Sequence, residues 1–172
     1  VEPICQHFGT CGGCKWQHLS YNKQLEFKQQ HVVDALERIG KLELPALLPI
    51  IGSSRTMHYR NKIEYTFSNR EWLTKKELTE GESKDLPALG FHVPLRFDKI
   101  LDIKTCYLQD NVSNAIRLEV RNFCLNNEMI FFDLIKQEGE MRNLIIRNSS
   151  SGEWMVIVVF HKEDKSTRTK LL

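Results

Sequence analysis

The sequence predicts an α+β domain built on an antiparallel sheet. Short segments of strand character at 59–68, 89–93, 100–103 and 144–161 return on one another through hairpins. Two stretches, 20–39 and 110–125, instead repeat apolar residues at helical spacing. Strands grouped in hairpins, with helices set between them, build antiparallel sheets rather than the parallel sheets of strand–helix–strand alternation. The whole of 1–172 is expected to form one domain, with the sheet spanning 59–161.

Each element has a local reason. Residues 1–18 hold Gly9, Gly12 and Gly13 and read as a tight loop. Ser20 can cap a helix whose Tyr21, Leu25, Val32, Leu36 and Ile39 share one face, and Gly40 is a natural stop. Pro45 and Pro49 favour an extended connection. From Tyr59 to Ser68 the chain alternates, with Tyr59, Ile63, Tyr65 and Phe67 on one face and Arg60, Lys62, Glu64 and Thr66 on the other. That is a half-buried strand carrying its basic residues outward.

Residues 69–87 are polar and charged and read as an excursion or long hairpin connection. Leu89, Phe91 and Val93 form a partner strand that Pro94 ends or places at an edge. Ile100 to Ile103 is a short strand running into Cys106. Asp110 can cap a second helix with Val112, Ala115, Ile116, Val120 and Phe123 along its stripe. Leu144 to Arg147, a turn from Asn148 to Gly152, and Trp154 to His161 complete a hairpin.

Composition bounds the function classes. A chain of 172 residues buries roughly 70% of its unfolded surface and needs no covalent staples to build a core. With 24 Lys+Arg against 22 Asp+Glu, and 41% hydrophobic residues, disordered and fibrous classes are excluded. The longest apolar run, Trp154 to Phe160, falls far short of the ~20 residues that span a bilayer. No membrane association and a cytoplasmic location are therefore expected. The opening at Val1 rather than Met suggests a piece of something longer. Net charge of +2 is too small to call for nucleic acid, but residues 55–62 gather Arg55, His58, Tyr59, Arg60 and Lys62 without an acid. Such a patch permits phosphate contact and base stacking, and equally a solvated strand entry.

The unusual count is five Cys. Cys5, Cys11 and Cys14 follow a C-x5-C-x2-C spacing in CQHFGTCGGC, where the glycines allow sharp turns and close approach of N–H groups to sulfur. A C-x2-C pair is a short bite for two thiolates on one centre. A fourth ligand must come from Cys106, Cys124, His7 or His18. Cys124, beside Phe123 at the end of the second helix's stripe, suits a buried small hydrophobe. Cys106, at a strand end, completes the proposed set. The odd count disfavours a disulfide framework, and a thioredoxin-like C-x-x-C would leave Cys5 without a role. Four thiolates suit zinc and an iron–sulfur cluster equally well.

Several segments resemble the RNA uracil-5-methyltransferase family, in particular its iron–sulfur branch acting on 23S ribosomal RNA. They are CQHFGTCGGCKWQHLSYNKQLEFKQQHVVDALERIG at 5–40, YRNKIEYTFS at 59–68, LGFHVPLRFDKILDIKTCYL at 89–108 and MRNLIIRNSSSGEWMVIVV at 141–159. The resemblance implies that Cys5, Cys11, Cys14 and Cys106 hold a [4Fe-4S] cluster clipping the N-terminal loop to the sheet. It further implies an S-adenosylmethionine-dependent parent enzyme, monomeric, with 23S rRNA as partner. Arg60 and Lys62 are then the leading RNA contacts, with His58, Arg142 and Arg147 behind them. Phe8, Trp16 and Tyr107 suit shielding a cluster or touching RNA.

Family members also carry an N-terminal β-barrel, the TRAM domain, and a C-terminal methyltransferase domain. The latter holds the nucleophilic Cys that attacks uracil C6 and the base that removes the C5 proton. Here no G-x-G occurs and no Cys lies in such a nucleophile motif. The chain is thus expected to be the central domain, without catalytic residues or an S-adenosylmethionine site of its own. The 69–87 excursion is longer than the family's usual hairpin there. Two other classes stay open: a stand-alone zinc-binding nucleic-acid module, and an iron–sulfur redox or sensing protein.

Overall fold

The computed structural model describes residues 1–73, 86–162 and 165–171. Most of the 69–87 excursion therefore lies outside the described residues. Five strands form one antiparallel sheet: β1 (Lys62–Ser68), β2 (Ala88–Val93), β3 (Arg96–Asp102), β4 (Met141–Asn148) and β5 (Trp154–Phe160). Their order is β3-β2-β1-β4-β5, so β1 lies at the centre between two hairpins. Alternation on β1 buries Ile63, Tyr65 and Phe67 and leaves Lys62 and Glu64 exposed. Burying each large apolar side chain contributes about 1.5–3 kcal/mol. Leu89, Ile103, Leu144, Ile146 and Phe131 join them in the core.

The predicted α+β class stands, with differences in detail. The first strand begins at Lys62 rather than Tyr59 because the preceding residues pair elsewhere: the His58 and Arg60 N–H groups donate to the carbonyls of Tyr107 and Leu108 at 2.8 and 2.7 Å. The strand before Cys106 starts earlier than expected, at Arg96, because Leu95 takes φ +65° and turns the chain straight back after Pro94. Cys106 itself lies beyond the strand, in the loop leading to the next helix. A short C-terminal helix, α3 (Lys165–Leu171), was not legible in the sequence.

Helix α1 (Tyr21–Asp34) begins as predicted, with the Lys23 N–H donating to Ser20 Oγ at 3.5 Å. It continues in a wider turn, Ala35–Ile39, that stops at Gly40. Gly40 keeps right-handed geometry, and Lys41 takes the positive φ of +54° instead. The expected apolar face does not become a core face, for no residue of α1 is buried and Val32 and Ile39 are exposed. Side-chain amides and a hydroxyl hold the helix to the following segment. Ser53 N–H donates to Tyr21 Oη at 2.6 Å, and Ile50 N–H donates to Gln29 Oε1 at 3.0 Å.

Helix α2 (Asn111–Asn126) is capped as expected, with Val112 N–H donating to Asp110 Oδ1 at 3.0 Å. Its burial bears out the expected stripe only in part. Ile116, Val120 and Phe123 pack against the core only partly, while Val112 is exposed. The buried positions are Ser113, Asn114, Arg117 and Cys124. Polar side chains can be enclosed this way when neighbouring backbone supplies their partners. No described helix is long and apolar enough to cross a membrane.

Candidate metal centre and nucleic-acid face

β1 and β2 pair only from Thr66 opposite Gly90 to Ser68 opposite Ala88. Beyond that point they part, and β1 continues against β4 while β2 continues against β3. The N-terminal cysteine loop enters this fork. A cavity of about 490 Å3 there is lined by Ile63 of β1 and Phe91 of β2, and by Cys5, Cys11, Cys14 and Cys106. All four proposed ligands, separated by up to 101 residues, thus face one space. Among the described residues no group of three or more His, Cys, Asp or Glu side chains is gathered tightly enough to hold a metal ion. The thiols surround the cavity rather than meet at a point.

Local bonds shape the loop. Phe8 N–H donates to the Cys5 carbonyl at 3.0 Å and Cys11 N–H to the His7 carbonyl at 2.8 Å. Gly13 N–H points at Cys11 Sγ at 3.4 Å. Gly12 lies where a Cβ would come within 3.2 Å of Pro94 Cγ, so the loop passes close to the end of β2. Lys104 N–H donates to His7 Nε2 at 3.1 Å, which ties the loop to the stretch before Cys106. That bond occupies one ring nitrogen of His7, and burial together with the nearby Arg117 and Lys104 charges lowers its pKa. His7 therefore serves as a strut.

Cys106 is enclosed, at 8% exposure. Its N–H donates to Asn114 Oδ1 at 2.8 Å, and Asn114 Nδ2 donates back to its carbonyl at 3.0 Å. Burial pushes the Cys11 and Cys106 thiols up, and the neighbouring cysteines push them further in the same direction. Both thiols therefore favour the protonated form. Cys124 is fully enclosed in the core, its thiol pushed up to about 12 by burial. It lies outside the cavity lining, as expected for a packing residue.

The basic candidates divide. Arg60 and Lys62 border the cavity and are exposed, and Lys62 also sits 3.8 Å from Glu64. Lys62 is directly opposite the exposed Arg147 across the β1–β4 ladder. Like charges in opposed positions on one face repel, so this pair favours an anion above it. His58 and Arg142 have intramolecular duties. His58 Nδ1 meets the Gln109 carbonyl at 2.8 Å, at a backbone φ of +54°. The Arg142 guanidinium lies 4.1 Å from the centre of the Phe132 ring. Phe8 and Tyr107 line the cavity, whereas Trp16 packs against the rings of Phe27 and His31.

Sequence reasoning missed Asn114, Arg117 and Gln109. The Gln109 amide donates to the Ile146 carbonyl at 3.1 Å and bonds the Ser113 hydroxyl. The signal was present as polar residues at 110, 113, 114, 117 and 121, a stripe along α2 beside the apolar one.

No family model matches the chain. It is 54% identical over 91% of its length to an uncharacterized RNA methyltransferase of Bacteroides thetaiotaomicron, covering 35% of that protein. It is 50% identical over 99% of its length to one of Porphyromonas gingivalis, covering 38% of it. Among solved structures, the Pyrococcus abyssi tRNA (uracil-54, C5)-methyltransferase, in complex with S-adenosyl-L-homocysteine, superposes with a TM-score of 0.65 at 26% identity. That match covers 94% of this chain and 34% of the other. The chain thus spans about a third of the length of the proteins it matches, and along nearly all of its own length it is similar to the RNA methyltransferase family.

Proposed function

We propose that this chain is the central domain of an S-adenosylmethionine-dependent RNA uracil-5-methyltransferase, in which Cys5, Cys11, Cys14 and Cys106 hold a [4Fe-4S] cluster. The observation that carries the proposal is the meeting of these four thiols around one cavity in the β1–β2 fork. Their chemistry fits such a cluster: four sulfur donors, all free of disulfides. A single zinc ion would need the sulfurs at about 2.3 Å from one point. A cluster places each thiolate on its own iron and so suits ligands spread around a space.

When bound, the cluster supplies four metal–thiolate bonds that clip the loop at 5–14 to the segment around Cys106. Methyl transfer itself takes its carbon from the sulfonium of S-adenosylmethionine and moves no net electrons, so a structural clip is the role proposed. This chain's residues then position RNA. Arg60, Lys62 and Arg147 form a short basic ridge for phosphates beside the clipped loop. Holding the backbone on both sides of a target lets its base leave the stack. The parent enzyme is proposed to act as a cytoplasmic monomer on 23S rRNA.

The structural neighbour is a transfer RNA methyltransferase, which favours a second reading of the substrate, a tRNA. Methylation assays of the full-length parent on each RNA decide between them. The cluster is tested by anaerobic purification with iron, sulfide and zinc analysis. A brown protein with about four irons per chain supports the proposal. Stoichiometric zinc, or no metal at all, overturns it.

A further inference from the structure

Arg117 is fully enclosed in the middle of α2, which is unusual for a permanently charged side chain. Its Nη2 donates to the Lys104 carbonyl at 2.8 Å. Its Nε and Nη1 are buried with no partner among the described residues. The nearby acid is already used, for Asp102 Oδ1 accepts from Arg121 Nε at 3.0 Å and from Leu89 N–H at 2.8 Å. On its other side the guanidinium lies 5.6 Å from the centre of the Tyr65 ring, whose buried hydroxyl both Arg117 and Ser113 approach. A buried cation whose carboxylate neighbour is shared with Arg121 and a backbone N–H is costly to keep. Its surroundings indicate what would compensate it. Lys104 is two residues before Cys106, and Asn114, one turn earlier on α2, grips the Cys106 peptide.

We propose that Arg117 is the counter-charge of the thiolate-bound metal site, set behind the Cys106 wall of the cavity. This rests on the cluster reading above. Four thiolates outweigh the positive charge of a [4Fe-4S] core, so the loaded site is anionic. In the low-dielectric interior a fixed cation at close range stabilises that anion strongly, and a more reduced cluster more strongly still. Arg117 is thus an unfavourable charge in the metal-free protein and a favourable one in the loaded protein.

That reversal of sign gives the test. Wild type, Arg117→Gln and Arg117→Lys are prepared anaerobically, and each is compared loaded and metal-free. Iron per chain, midpoint potential by redox titration, release of iron to a chelator, and urea unfolding are measured. The Gln variant is expected to leave the metal-free protein as stable as wild type or more so. It should lower the cluster's potential and speed iron release by at least about tenfold, the effect of 1.4 kcal/mol on a barrier. The Lys variant keeps the charge and should return both quantities toward wild type. Wild type without iron would remove the cluster reading and this proposal together. Wild type with four irons, alongside a Gln variant of unchanged potential and release rate, would overturn this proposal alone. So would a Gln variant that weakens or unfolds the metal-free protein, or a Lys variant that behaves like Gln.

Discussion

The side chain of Asn114 brackets the Cys106 peptide, accepting its N–H at 2.8 Å and donating to its carbonyl at 3.0 Å. The two groups are buried, so each bond removed leaves an unsatisfied partner away from water. Asn114→Ala is expected to destabilise the protein by about 2–4 kcal/mol, the cost of two buried hydrogen bonds and their orphaned partners. Urea unfolding of the metal-free protein measures it. A loss under about 0.5 kcal/mol, the range of an ordinary surface change, would show that the bracket contributes little.

Lys62 and Arg147 oppose each other at one end of the β1–β4 ladder. Replacing both with Ala should weaken RNA binding and reduce the salt slope of the affinity by roughly 0.7 for each lost phosphate contact with a single strand. Folding stability should be unchanged or rise slightly, since a repulsion has been removed. Binding titrations at several salt concentrations test this. An unaltered slope would move the RNA face elsewhere.

Cys106 and Cys124 should separate cleanly. Cys106→Ser is expected to abolish stable metal loading, while Cys124→Ser keeps it and costs about 1–3 kcal/mol for placing a hydroxyl in an apolar site. With its thiol held at about 12 by burial, Cys124 should also resist alkylation of the native protein at pH 8. Mass mapping after brief treatment with iodoacetamide reads this directly. Labelling of Cys124 ahead of Cys5 and Cys14 would contradict its enclosure.

Asp133 gives the fold an acid limb. Its carboxylate accepts the Ile135 and Lys136 N–H groups at 2.9 Å each and Asn69 Nδ2 at 3.0 Å. These bonds favour the charged form and hold its pKa at about 2, below the unfolded value of 3.8. Because the folded pKa is depressed, the stabilisation is complete above about pH 4 and is lost as pH falls toward 2. Asp133→Asn should be less stable than wild type at pH 6, and the two should converge near pH 2. Parallel stability curves over that range would refute the assignment.

Gly90 tests the packing of β2 on β3. A Cβ there would lie 2.0 Å from the Leu101 carbonyl oxygen, a backbone atom that cannot swing aside. Gly90→Ala is expected to cost about 3 kcal/mol, the upper end of the range for overpacked core sites. Thermal unfolding of the purified variant provides the measurement.

Much of this protein was legible in residues close together in sequence. Alternation at Ile63, Tyr65 and Phe67 marked the central strand, Ser20 and Asp110 marked the helix starts, and the cysteine spacing marked a site. These signals are local: side-chain direction follows from period, and caps act within one turn. What required the tertiary structure is non-local. Of the apolar stripe on α2, Ile116, Val120 and Phe123 do pack on the core while Val112 and Ala115 do not, because Asn114 and Arg117 find partners on the distant Lys104–Cys106 segment. The face of α1 that holds Val32 stays exposed, because no described element lies against it. The sequence by itself determined the strands, the caps and the four candidate thiols. Where β1 and β2 part, each paired only with its outer neighbour, lies the space that the cysteine loop enters, and this non-local arrangement decided that the four thiols line one cavity.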